Sequence, residues 1–492
     1  MELILKPYAF MQRQVYSSRA LSCTMLGAIF SLGLPPFHYW YVSLVSLAIF
    51  INIFILSKPP KSIFTAVFIF SLSYFSISSY WIINTFLVVV NGLLPGILAG
   101  VITLFVVATY MAAITALCIL ISEKLNCIIK YFNFNLSIIL IPLAWAASEY
   151  IRSTLLGGQP MHYVGYMVGN NDYLIQLASI FNVYVVSFFL VFIAVLFSIN
   201  YRHAVCGVLI LCTIFIFGIY RVELMPDSQG KVIKELKVRL VNANLTQAQL
   251  LQDQNTYRVV DEYIKVTQSE SSASFIPDLI IWPESVLQFY IDNVYEGEIN
   301  RKHITEFMSE GQLLITGGPR HERTKNKNIK YYSSMFQLDS EGELLNTYDK
   351  HRLVPWGEFI PFRNFIPEQI ANIFDVKDYS QGQGPLQMNS KYGVKILPLL
   401  CAEGHFPQML SEYQNDQNLI VMIGNEAWLE GTTEPAQYFI NARYRAVESG
   451  LPVLLVSNKG YLAIIDNKGI VKKSIYNNTA SVLDGHIEVR LN

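Results

Sequence analysis

Charged residues are scarce in the first 220 positions of this 492-residue chain. That stretch holds nine Lys or Arg and four Asp or Glu residues, whereas the remaining 272 positions hold 27 basic and 33 acidic residues. A segment so poor in charge cannot form the surface of an ordinary soluble domain. The chain as a whole is 15% charged and 52% hydrophobic, a composition that also excludes an intrinsically disordered protein.

Other features that mark particular function classes are missing as well. The formal net charge of -1 lacks the basic excess that nucleic-acid-binding proteins have, so we expect no nucleic-acid partner. The eight histidines are scattered, and none forms the i, i+4 pair of a zinc-binding helix, so we expect neither a metal nor a cofactor. Cys401 is the only cysteine after position 220, which excludes an internal disulfide in that half.

Long apolar runs fill the charge-poor half of the chain. A helix needs about 20 residues to cross the hydrocarbon core of a bilayer, and the runs near that length predict a transmembrane domain of about seven helices in residues 1–221. The predicted spans are 19–36, 39–57, 63–86, 94–122, 137–151, 174–199 and 204–220. No small-residue cleavage site follows the first run, so we expect it to be retained rather than removed as a signal peptide.

Basic residues lie in alternate loops of this half. The N-terminal segment and the loops at 58–61, 124–130 and 202 hold eight of them, and the intervening loops hold Arg152 and little else. The positive-inside rule therefore predicts a cytoplasmic N-terminus. Because seven is an odd number of spans, we expect the chain after Arg221 to be extracytoplasmic.

Few ionisable residues lie at membrane depth, which argues against a transporter with an ion pathway. Glu149 and Arg152 are the exceptions. Three positions apart on a helix, they would share a face. We interpret them as a structural pair at the interface rather than as contacts to a substrate headgroup.

Short β-rich runs separated by helical stretches begin at Lys237, after a linker at 222–236. Their apolar residues occupy both faces, which suits a sheet buried on both sides. Predicted strands are Lys237–Val241, Leu279–Trp282, Leu313–Thr316, Met335–Leu338, Val394–Leu399, Leu419–Ile423 and Val453–Ser457. Predicted helices are Asp253–Gln268 and Ala436–Ser449, and predicted hairpin turns lie at 340–342 and 466–469. The pattern predicts an α/β sandwich over 237–492.

Side chains suited to acyl transfer lie after predicted strands or in nearby loops. Glu284 and Cys401 each follow a strand, and Lys350 lies in an aromatic, proline-rich loop. Loops at strand ends are where α/β folds present reactive groups. A carboxylate can take the thiol proton, the thiolate can attack a carbonyl, and the ammonium can stabilise the oxyanion. Singly, each has a structural explanation: a helix-cap neighbour, an inert thiol and a solvated lysine.

The order of these motifs resembles the carbon–nitrogen hydrolase (nitrilase) superfamily. The motifs are WPES at 282–285, YDKHRLVPWGEFIP at 348–361 and CAEG at 401–404. The resemblance implies an αββα sandwich in which Glu284 is the base, Lys350 the oxyanion stabiliser and Cys401 the nucleophile. It also implies that Glu358 helps to position the lysine and the reacting groups. Glu403 matches the glutamate that commonly lies two positions after the nucleophile.

Motifs in both halves make the chain similar to the apolipoprotein N-acyltransferase family. They are GLPPFHYWY at 33–41, YWIIN at 80–84, EYIRSTLLGGQP at 149–160, LIQLASIFNVYVVSF at 174–188, IGNEAWL at 423–429, ARYRAVESG at 442–450 and SNKG at 457–460. This resemblance implies transfer of an acyl chain from a phospholipid, usually from its sn-1 position, through a cysteine thioester. The acceptor would be the N-terminal α-amine of the S-diacylglyceryl-cysteine of an apolipoprotein, with ping-pong kinetics.

The same resemblance implies a multi-pass protein of the bacterial cytoplasmic membrane, with a cytoplasmic N-terminus and a periplasmic catalytic domain. We expect a monomer. Two alternatives stay open at this point. One is a membrane-tethered nitrilase-type amidase, with water or a small amine as acceptor, and the other is a degenerate paralogue that binds lipoproteins without acylating them.

Three features depart from the family pattern. The chain ends at Asn492 without a final apolar run, where the family normally has a further span. Ala402 occupies the position after the nucleophile, where a tyrosine is common, and the family's tryptophan in the loop after the first strand is replaced near Leu251. Because the triad is intact, we expect acyl-enzyme formation more firmly than efficient transfer to an apolipoprotein.

Overall fold

The computed structural model divides the chain into two compact units. One unit comprises Met1–Leu87 and Asn91–Leu224, and the other comprises Val88–Val90 and Met225–Asn492. The described residues are 19–56, 60–90, 92–129, 136–226, 232–250, 256–269, 275–293, 296–323, 329–355, 357–360, 363, 378–384, 386–389, 393–413, 416–476 and 478–490.

Helices form the first unit wherever the structure describes it. They are α1 (Arg19–Ser31), α2 (Trp40–Phe50), α3 (Pro60–Ser78), α4 (Trp81–Val89), α5 (Leu93–Ile129), α6 (Ser137–Thr154), α7 (Val183–Ile199) and α8 (Tyr201–Ile219). Short π-helical turns, Ile51–Leu56 and Tyr220–Leu224, extend α2 and α8. Many large apolar side chains on these helices are exposed. In water such a surface would be unfavourable, whereas lipid would cover it.

Helix length separates the predicted spans into two groups. Leu93–Ile128 and Tyr201–Leu224 are long and apolar enough to cross a membrane. The pair Ser62–Ser78 and Trp81–Val88 would supply a third span, bent by 47° at its break. Three further apolar helices have 10 to 17 residues. Within the described residues, length and composition therefore support two or three spans, and the count of seven stays a prediction.

The predicted span 174–199 is not one continuous helix. Leu174–Ser179 forms a 3-10 helix, and α7 begins only at Val183. The side chain of Asn182 accepts a hydrogen bond from the backbone N–H of Tyr184 at 3.0 Å. This cap satisfies one of the free N–H groups at the start of α7 and fixes the break there.

Glu149 and Arg152 hold a neighbouring segment of the same unit in place. Both side chains lie on α6 and are buried. Glu149 Oε1 accepts a hydrogen bond from the Val164 N–H at 2.8 Å, and Arg152 Nη1 donates one to the Met161 carbonyl at 3.0 Å. The Arg152 guanidinium also lies 4.8 Å from the centre of the Phe75 ring. These contacts agree with the structural role predicted for the two residues.

Twelve strands form two sheets in the described part of the second unit. They are β1 (Val232–Asn242), β2 (Leu279–Ile281), β3 (Leu313–Arg323), β4 (Ile329–Asp339), β5 (Leu344–Asp349), β6 (Met388–Asn389), β7 (Lys395–Leu400), β8 (Leu419–Asn425), β9 (Val453–Asn458), β10 (Leu462–Ile465), β11 (Val471–Ile475) and β12 (Ser481–Arg490). The strand orders are β12-β1-β2-β3-β4-β5 and β11-β10-β9-β8-β7-β6. Strands β1, β2 and β3 run parallel, as do β7, β8 and β9.

Helices cover the outer faces of both sheets. They are α9 (Gln247–Leu250), α10 (Thr256–Thr267), α11 (Glu296–Thr305), α12 (Gln408–Glu412) and α13 (Glu434–Ser449). A core of buried aliphatic side chains that includes Ile281 and Val421 joins the inner faces of the two sheets. Separate apolar clusters hold α10 and α11 to the first sheet, and α12 and α13 to the second. Each fully buried aliphatic side chain contributes about 1.5–3 kcal/mol.

The αββα sandwich expected from the sequence is confirmed for this unit. All seven predicted strands are present, and the predicted turns at 340–342 and 466–469 join antiparallel strand pairs. The predicted helix at 436–449 begins slightly earlier, at Glu434, with a proline in its first turn. Strands β5, β6, β10 and β11 and the helices α9, α11 and α12 were not predicted.

Candidate active site

Glu284 lies just after the end of β2, in a tight turn against β3. The Trp282 N–H donates to the Ile315 carbonyl at 2.8 Å, so the pairing continues past the end of β2. Ser285 then has φ of 62°, in the left-handed region. A Cβ atom at Gly317 would lie 2.8 Å from the Glu284 Cα. The close approach therefore requires glycine at 317, and it fixes where the Glu284 side chain starts.

The Glu284 carboxylate is buried beside the only cysteine of this unit. Cys401 lies close enough to interact electrostatically with this carboxylate, and Ser333 Oγ donates to Glu284 Oε1 at 3.4 Å. Burial raises the pKa of Glu284 to about 7; Lys350 opposes this shift and Glu358 adds to it. A carboxyl group with that pKa can both accept and release a proton near neutral pH.

Cys401 begins the 3-10 turn Cys401–His405, which follows β7 directly. Its φ is 52°, a left-handed conformation that is uncommon for a residue other than glycine. The Tyr438 hydroxyl donates to the Cys401 carbonyl oxygen at 3.0 Å and holds the turn. Burial raises the pKa of the thiol, the carboxylate of Glu284 raises it further, and Lys350 lowers it. At rest the thiol is therefore protonated.

Lys350 follows β5 and is 1% exposed. Its Nζ donates to Glu358 Oε1 at 2.8 Å, and Glu358 Oε2 accepts from the Val354 N–H at 2.8 Å. Burial alone would lower the pKa of Lys350, but Glu358, Cys401 and Glu284 outweigh burial and raise it. The site therefore holds a permanent ammonium whose direction is set by Glu358.

Glu403 joins the loop that carries Lys350 to the turn that carries Cys401. Its fully buried carboxylate accepts four hydrogen bonds. The donors are the Leu400 N–H at 2.9 Å, the Tyr348 hydroxyl at 2.8 Å, the His351 N–H at 2.8 Å and the Arg352 N–H at 3.0 Å. Leu400 belongs to one sheet and Tyr348 to the other, so this single side chain sets the spacing between the two catalytic loops.

We expect Glu403→Ala to destabilise the protein by about 3 kcal/mol, because it leaves several buried donors without an acceptor. Thermal unfolding of the purified full-length chain in detergent measures the loss. Glu488→Ala is the matched control, since Glu488 is exposed and pairs with Arg490, and such a pair contributes about 0–1 kcal/mol. Equal unfolding temperatures for the two variants would contradict the role given to Glu403.

The structure brings together all five site residues predicted from the sequence: Glu284, Lys350, Glu358, Cys401 and Glu403. Sequence reasoning missed Ser333 and Tyr438, which hydrogen-bond to members of this set, and also missed Glu426 near the thiol. Glu426 lies directly after the buried strand β8. Its position repeats the strand-end placement of Glu284 and Cys401, and that signal could have identified it.

Two of the departures noted above are changes of a single residue. Ala402 lies in the turn after Cys401 and is half-buried. Leu251 lies outside the described residues. Over the part of the chain that the structure describes, no group of three His, Cys, Asp or Glu side chains is placed to hold a metal ion.

Two family models match this chain. Residues 26–196 match the apolipoprotein N-acyltransferase N-terminal domain, and residues 237–490 match the carbon–nitrogen hydrolase family. The second match covers the sandwich and contains every site residue described above.

Proteins with similar sequences carry the name of the same family. An apolipoprotein N-acyltransferase from Allorhizobium ampelinum is 29% identical over 94% of this chain and 89% of its own length. One from Rickettsia prowazekii is 30% identical over 74% of this chain and 73% of its own. Saccharomyces cerevisiae Nit3, a nitrilase-superfamily structure, is 15% identical with a TM-score of 0.40 over 53% of this chain and 93% of its own, a score too low to support an argument. From the family models and the sequence relatives, this chain belongs to the apolipoprotein N-acyltransferase family, whose members are enzymes with a carbon–nitrogen hydrolase domain.

Proposed function

We propose that the chain acylates apolipoproteins through a thioester on Cys401, with Glu284 as general base and Lys350 as oxyanion stabiliser. The meeting of Glu284, Lys350 and Cys401 in one site, where each of them shifts the pKa of the others, carries the proposal. Lys350 acts electrostatically on both groups, and Glu358 and Glu403 hold its loop. A base, a nucleophile and a fixed cation in one buried site are the parts that acyl transfer needs.

In the first half-reaction the donor is a phospholipid, and the acyl chain leaves its sn-1 position. Glu284 takes the proton of Cys401 while the sulfur attacks the ester carbonyl, and Lys350 stabilises the oxyanion that forms. The carbon–oxygen ester bond then breaks. Glu284 returns its proton to the departing alkoxide, which leaves as a lysophospholipid alcohol. The thioester is now complete, and Glu284 is again a carboxylate.

In the second half-reaction the acceptor is the neutral α-amine of an S-diacylglyceryl-cysteine at an apolipoprotein N-terminus. The amine nitrogen attacks the thioester carbonyl and loses a proton to Glu284. The carbon–sulfur bond breaks, Cys401 leaves as a thiolate, and Glu284 protonates it. An amide and the free thiol remain. Because both half-reactions use one cysteine, the kinetics are ping-pong.

Both substrates carry acyl chains that stay in a bilayer, so the sandwich must work at a membrane surface. We place the chain in the bacterial cytoplasmic membrane with seven spans, a cytoplasmic N-terminus and a periplasmic catalytic domain. The basic residues at 58–61, 124–130 and 202, near the starts of α3 and α8 and the end of α5, support this orientation. We also propose that the working form is a monomer, since one chain supplies every site residue.

The decisive experiment follows the mass of the intact protein through both half-reactions. The purified chain is incubated with phosphatidylethanolamine that carries different acyl chains at sn-1 and sn-2, and a diacylated lipopeptide is then added. We expect an adduct with the mass of the sn-1 chain, which the lipopeptide removes. An adduct of the sn-2 chain would contradict the donor assignment.

Other outcomes point to other functions. An adduct that persists after addition of the lipopeptide would limit the chain to the first half-reaction and would direct attention to Ala402. Turnover of a soluble amide, without any adduct from phospholipid, would favour the membrane-tethered amidase. No reaction with either substrate would favour the lipoprotein-binding paralogue.

We expect Lys350→Met to slow formation of the acyl adduct by roughly 10²–10³-fold, the usual effect of removing one oxyanion-stabilising group. Methionine keeps the length of the side chain and removes its charge. The measurement is the single-turnover rate with phosphatidylethanolamine. Lys302→Met serves as the control, because Lys302 is exposed and pairs with Glu298 one helical turn away. A rate for Lys350→Met within threefold of this control would overturn the role given to Lys350.

A further inference from the structure

A second group of buried titratable side chains lies in and beside the turn Cys401–His405, which we call the nucleophile turn. This group has no part in the mechanism above. It comprises Glu426, Glu434 and His405, and we call it the buried acid cluster. Glu426 follows β8, Glu434 begins α13, and His405 ends the turn that starts at Cys401. The three residues are 3–5% exposed. Ionisable groups buried this deeply are costly unless they are paired.

Hydrogen bonds fix the tautomer of His405. The Asn441 amide nitrogen contacts His405 Nδ1, and because an amide nitrogen only donates, Nδ1 is the acceptor. The proton of the neutral ring is therefore on Nε2, which lies 3.3 Å from Glu434 Oε1. Burial lowers the pKa of His405 to about 4, so the ring is neutral at pH 7. Glu434 thus receives a hydrogen bond rather than a positive charge.

Burial, the charge of Glu434 and a hydrogen bond to Glu434 together raise the pKa of Glu426, and a bond between two carboxyl groups requires a proton on one of them. Burial raises the pKa of both, and the partner carboxylate adds to the shift of Glu426. Glu434 already accepts from His405 and is the better placed anion. Glu426 is then the acid, and its Oε2 is a buried atom without a hydrogen-bond partner among the described residues.

The cluster is coupled to the nucleophile in two ways. The Tyr438 ring lies 5.3 Å from the His405 ring, and its hydroxyl donates to the Cys401 carbonyl at 3.0 Å. Glu426 also acts electrostatically on the Cys401 thiol. The charged and titratable groups that face the cluster are Cys401, Glu284 and Lys350 from the site, Tyr438 and Arg445 from α13, and Tyr476 after β11.

We propose that the buried acid cluster is a positioning group for Cys401, which holds one proton between Glu426 and Glu434 and keeps Glu426 neutral beside the thiol. An ionised Glu426 would add a negative charge to those of Glu284 and Glu358 and would oppose thiolate formation. A proton on Glu426 prevents this repulsion. Tyr438 links the cluster to the backbone of the nucleophile turn through its hydrogen bond to the Cys401 carbonyl. The inference rests on Cys401 being the nucleophile of the proposed function.

Replacing each glutamate of the pair with the isosteric glutamine tests which of the two carboxyl groups carries the proton. Glu426→Gln mimics the protonated acid and leaves Glu434 ionised, so the pH profile of Cys401 should not change. Glu434→Gln removes the carboxylate that adds to the raised pKa of Glu426 and donates a hydrogen bond to Glu426, which favours the ionised form of Glu426 beside the thiol. We expect the profile of Glu434→Gln to move about one pH unit upward, roughly tenfold in rate at fixed pH. The measurement is the alkylation rate of Cys401 by iodoacetamide, followed by peptide mass spectrometry of the full-length chain in detergent.

Glu430→Gln is the matched control, because Glu430 lies in the loop after β8 but is exposed and pairs with Lys459. Equal shifts for both cluster variants, a shift for Glu426→Gln alone, or no shift for Glu434→Gln would overturn the inference. If Glu434→Gln does not fold, infrared spectroscopy decides the matter: Glu426→Gln must lose the band of a protonated carboxylic acid. An unreactive Cys401 in the unmodified chain would instead refute the proposed nucleophile.

Discussion

Cys401→Ser is expected to abolish the acyl adduct and to reduce transfer to a lipopeptide by roughly 10⁴-fold or more, a loss typical of removing a catalytic nucleophile. Serine fits the same turn, so folding should be preserved. Its hydroxyl has a much higher pKa than a thiol and is a weaker nucleophile, in a site whose geometry suits sulfur. Single-turnover acylation by phosphatidylethanolamine measures the loss.

The chain provides a matched control for this substitution. Cys127 lies on α5, in the first of the two units, and is exposed. Cys127→Ser therefore makes the same atomic change away from the site. It should form the adduct at the unmodified rate. An adduct that survives in Cys401→Ser and disappears in Cys127→Ser would place the nucleophile elsewhere. Peptide mapping of the adduct gives an independent assignment.

The catalytic residues could be predicted because strand ends are visible in a sequence. The runs before Glu284 and Cys401 are apolar on both faces, which indicates central strands of a buried sheet, and each run ends at a chemically active residue. Lys350 was predicted from its motif alone, since the strand before it, β5, has a half-buried and partly polar sequence. A strand of that kind gives no clear periodic signal.

Other parts of the site could not be predicted, because they depend on pairings across the fold. Glu403 was predicted by family resemblance as a supporting residue, but its role as acceptor from both sheets is visible only once β5 and β7 face each other. His405, Glu426 and Glu434 belong to three separate segments, so no local pattern indicates that their side chains meet.

The membrane unit shows the limit of counting apolar residues. Composition predicts apolar helices, and the described structure has them, but an apolar run says little about where a helix breaks. Asn182 caps the start of α7, so the predicted span 174–199 is not one continuous helix. The break between α3 and α4 bends another predicted span by 47°. Both breaks arise from single residues or turns within runs of high hydropathy, which an average over about 20 residues does not resolve.

Glu284→Gln is expected to slow acyl-enzyme formation by roughly 10³-fold and to remove its pH dependence near neutrality. The base works as a carboxylate. Because burial raises its pKa to about 7, the rate of the unmodified protein should rise with pH through 7 and should be about tenfold below its plateau at pH 6. Glutamine keeps the shape of the side chain but accepts no proton, so its residual rate should follow only the titration of the thiol at higher pH.

The pH profile separates this role from simple packing, since a packing defect lowers the rate at every pH and leaves the midpoint in place. Glu341→Gln is the control, because Glu341 is exposed in the turn between β4 and β5, and it should retain both the rate and the midpoint near 7. A variant at Glu284 that is slow but keeps that midpoint would assign the titration to another group. Glu426 would then be the first carboxyl group to examine, since it is buried and acts electrostatically on the Cys401 thiol.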